Sequence, residues 1–246
     1  MVDKTKLRAL AIDNRNSNSD LKLTDKQWTV YFFLLSKSKW NRVEMHRFVY
    51  KNSFEVAKAC KMLGLSRPTF YSAIKTLRKY GIIIPFDDYY IISNVNDNFA
   101  DIKAYVLFCL LSLRKYVGID LLRVYLLLKR LQDIDERKTR TFTRRNLIEM
   151  LGHSQTTQQN YLVVDMYLQT LEDWELIKIQ RKKKMTPFGN INLYILDEVK
   201  TDSKSLETLN SEIMIEIKLD KDYEGIPIET KSKLRLLADT LKMRVE

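Results

Sequence analysis

The sequence predicts a mainly α protein with small β-hairpins, an α+β fold built from two similar helical units, an apolar joining helix and a C-terminal extension. Three observations predict it. Apolar residues recur at helical spacing along much of the chain. Residues 54–92 and 142–196 repeat the same order of features, and each repeat ends in two β-favouring runs around a turn. A length of 246 residues suits two small domains.

The first repeat is predicted to contain two helices separated by a tight turn. Its first helix covers residues 54–62, and Gly64 can adopt the left-handed conformation that ends a helix. Ser66 suits the N-cap of the second helix, with Pro68 in the first turn, where its missing N–H is harmless. The apolar face of this second helix holds Phe70, Ile74 and Leu77. The other predicted faces hold Arg67, Thr69, Tyr71, Ser72, Lys75 and Lys79.

Two further elements complete the first repeat. Residues 82–86 and 89–92 are β-favouring runs around Asp87 and Asp88, which predicts a hairpin. An apolar stretch at 25–35 predicts an opening helix, whereas residues 36–52 match no element.

The second repeat aligns Met150-Leu151-Gly152 with Met62-Leu63-Gly64. An apolar helix at 120–131 and a first helix at 142–149 precede the turn, and about six extra residues surround the sequence HSQTTQ. The second hairpin is predicted to pair 176–180 with 192–196. That pairing places four consecutive basic residues at its tip, namely Arg181, Lys182, Lys183 and Lys184.

The segment LGLSRPTFYSAIKTLRKYGIII resembles the helix-turn-helix and wing entry of the winged-helix superfamily. LTDKQWTVYFFLL followed by SFEVAKACKMLGLSRPTFYSAIKTLRKYGII looks like the N-terminal winged-helix module of the initiator proteins that start replication of bacterial plasmids and phages. This resemblance implies two winged helix-turn-helix domains that bind repeats at an origin, with control by dimer-to-monomer conversion. It ends near residue 199.

The predicted organisation has five segments. They are a flexible N-terminal arm (1–22), a first winged-helix domain (23–93), a linker helix (94–119), a second winged-helix domain (120–199) and a C-terminal extension (200–246). The apolar run 104–113 packs the two domains together or forms the surface of a homodimer. The extension, strand-like at 213–219 and helix-like at 231–245, is net acidic and is expected to contact replication or transcription proteins.

Charge favours a polyanionic partner. The formal charge is +11, of which +7 falls on residues 23–93. The second helix of the first repeat, with Arg67, Tyr71, Ser72 and Lys75, is interpreted as a recognition helix in the major groove of DNA. The alternative is a winged-helix domain that binds protein.

In the second domain, amide side chains suit adenine and the basic tip suits phosphate or the minor groove. The alternatives are an ordinary polar loop and a solvated hairpin. The candidate DNA-binding residues there, beside the tip, are Arg144, Arg145, Thr156, Thr157, Gln158, Gln159 and Asn160.

The composition argues against catalysis, cofactors and metals. Six glycines that are never closer than 17 residues exclude a Gly-rich phosphate loop, and two histidines and two cysteines lie too far apart for a local metal site. A His-x-His pair for strand nicking is absent. No signal peptide or membrane span is recognisable, so we expect a cytoplasmic protein without membrane contact.

The function predicted from the sequence is therefore double-stranded DNA binding by a non-nicking replication initiator of a plasmid or phage. Two alternatives remain open at this point. One is a transcriptional regulator, such as a repressor, of a mobile element. The other is a winged-helix adaptor that holds protein partners.

Overall fold

A computed structural model describes residues 5–15, 21–93, 98–134, 140–186 and 189–208. Of the described residues, 49% are helical and 25% are in strands, and the strands form three antiparallel sheets. The predicted mainly α fold class is therefore wrong, and the protein is a mixed α and β structure. The prediction failed because the strands outside the two hairpins are only three to five residues long, too short for a period of two to identify them in the sequence.

The elements follow one another along the chain in a mixed order. They are β1 (Lys6–Leu10), α1 (Asp25–Lys37), β2 (Lys39–Asn41), β3 (His46–Tyr50), α2 (Val56–Leu63), α3 (Arg67–Lys79), β4 (Ile83–Pro85), β5 (Tyr89–Ile92), β6 (Phe99–Lys103), α4 (Ala104–Val117), α5 (Asp120–Ile134), β7 (Arg140–Phe142), α6 (Arg144–Leu151), α7 (Gln158–Asp173), β8 (Ile177–Thr186) and β9 (Gly189–Val199).

The predicted helix-turn-helix of the first unit is confirmed. Gly64 ends α2 with a φ of 55°, in the left-handed region that favours glycine. Ser66 caps α3 by accepting the backbone N–H of Thr69 at 3.2 Å. The predicted apolar face of α3 is buried against α1 and the sheet. This packing leaves the opposite face of α3 in solvent.

The sheet of the first unit is larger than the predicted hairpin. Its four strands lie in the order β2-β3-β5-β4, so the unassigned residues 36–52 supply two of them. The hairpin itself, β4 with β5, is confirmed.

The second unit repeats the strand topology of the first. Its sheet has the order β7-β9-β8, so in both units the strand before the helix-turn-helix pairs with the second strand of the hairpin. Gly152 ends α6 with a φ of 81°, as Gly64 ends α2. The six extra residues divide between a longer turn (152–157 against 64–66) and a longer α7 (16 residues against 13).

The predicted flexible arm and linker helix are both partly wrong. Residues 6–10 form β1, which pairs with β6 inside the predicted linker, and the backbone N–H of Leu10 donates to the hydroxyl of Tyr31 at 3.0 Å. Alternate β1 side chains are buried, which holds this segment in the core. The helical part of the linker, α4, was correctly placed from residue 104.

The apolar side chains of α4 and α5 are buried within the same chain and belong to one core that continues through both units. The apolar side chains on which the predicted homodimer surface rests therefore pack within the chain's own core. The start of the C-terminal extension also packs here, since Leu206 is buried and Tyr105 accepts the backbone N–H of Ser203 at 2.8 Å. The strand-like 213–219 and helix-like 231–245 predictions lie outside the described residues.

Candidate nucleic-acid interface

The exposed face of α3 carries four basic residues. Successive turns bring Arg67, Tyr71, Lys75 and Arg78 onto one side of the helix, with Lys79 beside them. Tyr71 is 56% exposed, and its ring makes an edge contact with the ring of Phe70 at 6.1 Å between centroids. The helix carries no acidic residue, and among the described residues none of its four cations forms an ion pair. Arg78 was missed by the sequence analysis.

Thr69 and Ser72, both predicted to contact DNA, differ in whether their side chains are free to do so. The hydroxyl of Thr69 lies 2.8 Å from that of Ser66, so Thr69 belongs to the helix cap rather than to a free contact surface. Ser72 is exposed and lines a groove of about 380 Å³ between the first turns of α1 and α3. Lys26 also lines the groove, which adds a cation that the sequence analysis did not select.

The corresponding helix of the second unit has the opposite charge. α7 contains Asp165, Glu172 and Asp173 and no basic residue. Arg144, a predicted DNA contact, instead forms a 2.7 Å ion pair with Asp165 and stacks over the ring of Tyr161. An acidic helix repels phosphates, so the body of α7 is a poor counterpart of α3.

The polar residues before α7 mostly hold the turn together. Arg145 donates to the Gln155 side chain at 2.5 Å, and the Asn160 amide donates to the carbonyl of Ser154 at 2.8 Å. The hydroxyl of Thr156 lies 2.8 Å from that of Ser154. Thr157 is the N-cap residue, so Gln158 and Gln159 form the exposed first turn of α7 rather than a loop ahead of it. Among the described residues of the predicted set, these two amides and the hydroxyl of Thr157, which makes no cap hydrogen bond, are exposed and form no hydrogen bond.

The predicted basic hairpin tip is wrong in its placement. β8 runs to Thr186, so Arg181 to Lys184 lie within the strand, paired with Tyr194 to Ile191. Arg181 forms a bidentate ion pair with Glu172 and lies over the Tyr194 ring, so it ties β8 to α7. The side chains of Lys182, Lys183 and Lys184 are exposed. Because side chains alternate along a strand, Lys182 and Lys184 share one face of β8, and Lys183 lies on the face of Arg181. We call these three exposed lysines the lysine ridge.

Among the side chains that could carry chemistry are the two cysteines and His46. Cys60 and Cys109 are buried, and burial raises the pKa of each thiol, to about 12 for Cys109. His46 in β3 lies 3.2 Å from the carboxylate of Glu44. Within the described ranges, no three His, Cys, Asp or Glu residues are grouped so that they could hold a metal ion.

No family model matches this chain, and comparison with curated proteins and with solved structures finds no match. In the described part of the chain, no helix combines the length and the apolar character needed to cross a membrane.

Proposed function

We propose that this protein binds double-stranded DNA and reads the major groove with α3. The observation that carries the proposal is the exposed face of that helix, where Arg67, Lys75, Arg78 and Lys79 surround Tyr71 without an acidic neighbour on the helix. A helix fits the major groove, where arginine can pair with guanine and lysine can contact phosphate. The tight glycine turn and the capped first turn hold α3 against α1, so these side chains are presented on a rigid support.

The second unit contributes mainly through the lysine ridge and the first turn of α7. Lys182, Lys183 and Lys184 contact phosphates, which adds affinity without sequence preference. Gln158 and Gln159 are the amides available for a base edge. Arg144 and Arg181 stabilise the unit itself, because each is already paired with a carboxylate of α7.

The role we propose is that of a non-nicking replication initiator of a plasmid or phage, acting in the cytoplasm by binding an origin. The support is the resemblance of residues 23–93 to the initiator module, together with the recurrence of one strand topology in both units. Two units joined by a continuous core suit two half-sites at a fixed spacing along DNA.

Selection of bound duplexes from a random pool tests this proposal. We expect enrichment of a sequence whose direct repeats have constant spacing. Enrichment of an inverted repeat would instead favour a dimeric transcriptional regulator. If no duplex is enriched, and if the amount of duplex that the protein retains does not depend on salt concentration, the protein does not bind DNA. The adaptor function then replaces the proposal.

A further inference from the structure

The outer face of the four-stranded sheet is an uncovered aromatic surface. Phe48 and Tyr50 of β3 lie beside Tyr89 of β5, with ring centroids 5.8 and 6.1 Å from that tyrosine, and Phe86 stacks on the same ring at 4.9 Å. The strand register places Ile91 between Phe48 and Ile84. We call Phe48, Tyr50, Ile84, Phe86, Tyr89 and Ile91 the aromatic face.

Exposure marks this sheet as the main apolar surface of the described chain. Eight large hydrophobic side chains of the described chain are exposed, and six of them belong to this sheet or its connecting turns. Phe86 is 47% and Ile84 is 44% exposed. Of these six side chains, Tyr50, Ile84 and Phe86 belong to the aromatic face, whereas the register places Trp40 with Arg47 on the opposite face of the sheet. Exposed apolar groups that lie together mark sites where another polypeptide binds. The six side chains are Trp40, Val43, Met45, Tyr50, Ile84 and Phe86.

Negative charge at one end of the aromatic face restricts the chemical class of partner that can bind there. The turn between β4 and β5 carries Asp87 and Asp88, both exposed and adjacent to Phe86. The nearby ammonium of Lys51 donates to the backbone carbonyls of Phe86 and Asp87 at 2.5 and 2.8 Å and lies over Tyr90, on the inner side of the sheet. The two carboxylates therefore disfavour contact with a phosphate backbone and favour a partner that is apolar and basic.

One segment of this chain has that chemistry. Residues 231–245, outside the described part, contain five basic residues and one acidic residue. Leu234, Leu237, Leu241 and Val245 recur at three- and four-residue spacing, as an apolar stripe does. We propose that residues 231–245 dock on the aromatic face, with their leucines against the rings and their lysines and arginines toward Asp87 and Asp88.

The connection is long enough for this docking. Twenty-two residues separate 208, the last described residue, from 231. An extended chain of that length spans up to about 70 Å, whereas a compact protein of this size has a radius of gyration of about 18 Å. The proposal does not depend on DNA binding.

Disulfide trapping in the full chain tests the docking. A bond forms only when two Cα atoms come within about 7 Å, and the native thiols are buried and do not compete. The test pair is Ile84→Cys with Leu237→Cys. The control pair is Met185→Cys with Leu237→Cys, since Met185 is 83% exposed on the other hairpin.

We expect mild oxidation to give an intramolecular disulfide at least about tenfold faster in the test pair than in the control pair, because docking raises the local thiol concentration. Equal rates would overturn the proposal. Crosslinking mainly between two chains would overturn it as well, and would assign the aromatic face to a second copy. Thermal unfolding midpoints of the reduced variants that match the midpoint of the wild type establish that the variants are folded.

A charge swap checks the orientation. Lys233→Glu with Arg235→Glu, placed in the test pair, should slow disulfide formation several-fold, and adding Asp87→Lys with Asp88→Lys should restore it. If the protein with all four charge substitutions does not regain the rate of disulfide formation, Lys233 and Arg235 do not contact the acidic end of the aromatic face.

Discussion

The carboxylate of Asp120 in α5 accepts a hydrogen bond from Nε2 of His153, in the turn after α6, at 2.5 Å. Its other oxygen accepts from Arg123 at 2.6 Å, and Arg123 also donates to the carbonyl of Leu151 and lies over the ring of Trp28 in α1. The network therefore joins the opening helix of the first unit to the helix-turn-helix of the second. Asp120 and Arg123 are both buried, so the contacts are shielded from solvent.

The first prediction concerns stability and pH. The hydrogen bond to Asp120 raises the pKa of His153, although its partial burial opposes this. Burial would raise the pKa of Asp120, but His153 and Arg123 outweigh burial and lower it. The stabilisation due to His153 is therefore fully present below its unfolded pKa of about 6.5 and is lost as pH rises through the higher folded pKa. The stabilisation due to Asp120 is present above its unfolded pKa and is lost as pH falls through the lower folded pKa.

Urea unfolding of His153→Asn and the wild type at two pH values measures this effect. We expect the variant to lose about 1 kcal/mol more at pH ~6 than at pH ~9, a modest figure because the side chain is 40% exposed and partly screened by solvent. A loss that does not change with pH would contradict the assigned contact.

The second prediction concerns Arg123. Arg123→Met leaves the Asp120 carboxylate buried with one partner fewer, so we expect a loss of about 3 kcal/mol in the free energy of unfolding. Lys58→Met is the control, because its pair with Glu55 is exposed on both sides and is worth less than about 1 kcal/mol. Similar losses in the two variants would show that the network contributes no more than a surface pair.

The third prediction compares two glycines with positive φ. Gly81→Ala meets no atom within 4 Å, so it suffers only the backbone strain of about 1 kcal/mol. Gly152→Ala suffers the same strain and also brings its Cβ to 2.9 Å from Nδ2 of Asn14, which donates to the carbonyl of Met150. Thermal unfolding should show the larger loss at Gly152, and equal losses would mean that Asn14 moves aside freely.

The fourth prediction concerns the lysine ridge. Replacing Lys182 and Lys184 by alanine should reduce the salt slope of duplex binding by about 2, because each phosphate contact contributes about 0.9 to that slope. Sequence preference should stay unchanged, since phosphate contacts do not read bases. Lys58→Ala with Lys204→Ala removes the same charge elsewhere on the exposed surface. If the salt slope of the Lys182 and Lys184 variant equals that of this control, the lysine ridge does not contact DNA.

Local signals in the sequence were sufficient for the first helix-turn-helix. Gly64, Ser66 and Pro68 each act on the backbone within one turn, and the buried set of α3 follows from helical spacing. The hairpin around Asp87 and Asp88 was predicted for the same reason.

The features that the sequence analysis missed or misplaced depend on contacts between residues that are distant in the sequence. β1 pairs with β6 across about ninety residues, and no local pattern in Lys6–Leu10 indicates that partner. The basic run in β8 was assigned to a tip because charge suggests a loop, whereas pairing with β9 extends the strand through it. Arg144 and Arg181 were selected for their charge, and only the fold brings Asp165 and Glu172 to them.

The measurement that tests the central claim most directly is duplex binding by α3 variants, followed by fluorescence anisotropy on the DNA selected from the random pool. Arg67→Ala with Lys75→Ala should weaken binding by about 2 kcal/mol, about 30-fold, since base-reading contacts are worth about 1–3 kcal/mol each. The matched control is Lys58→Ala with Lys204→Ala, which should change affinity less than about threefold. Equal weakening by the two pairs would contradict the assignment of α3 as the reading helix.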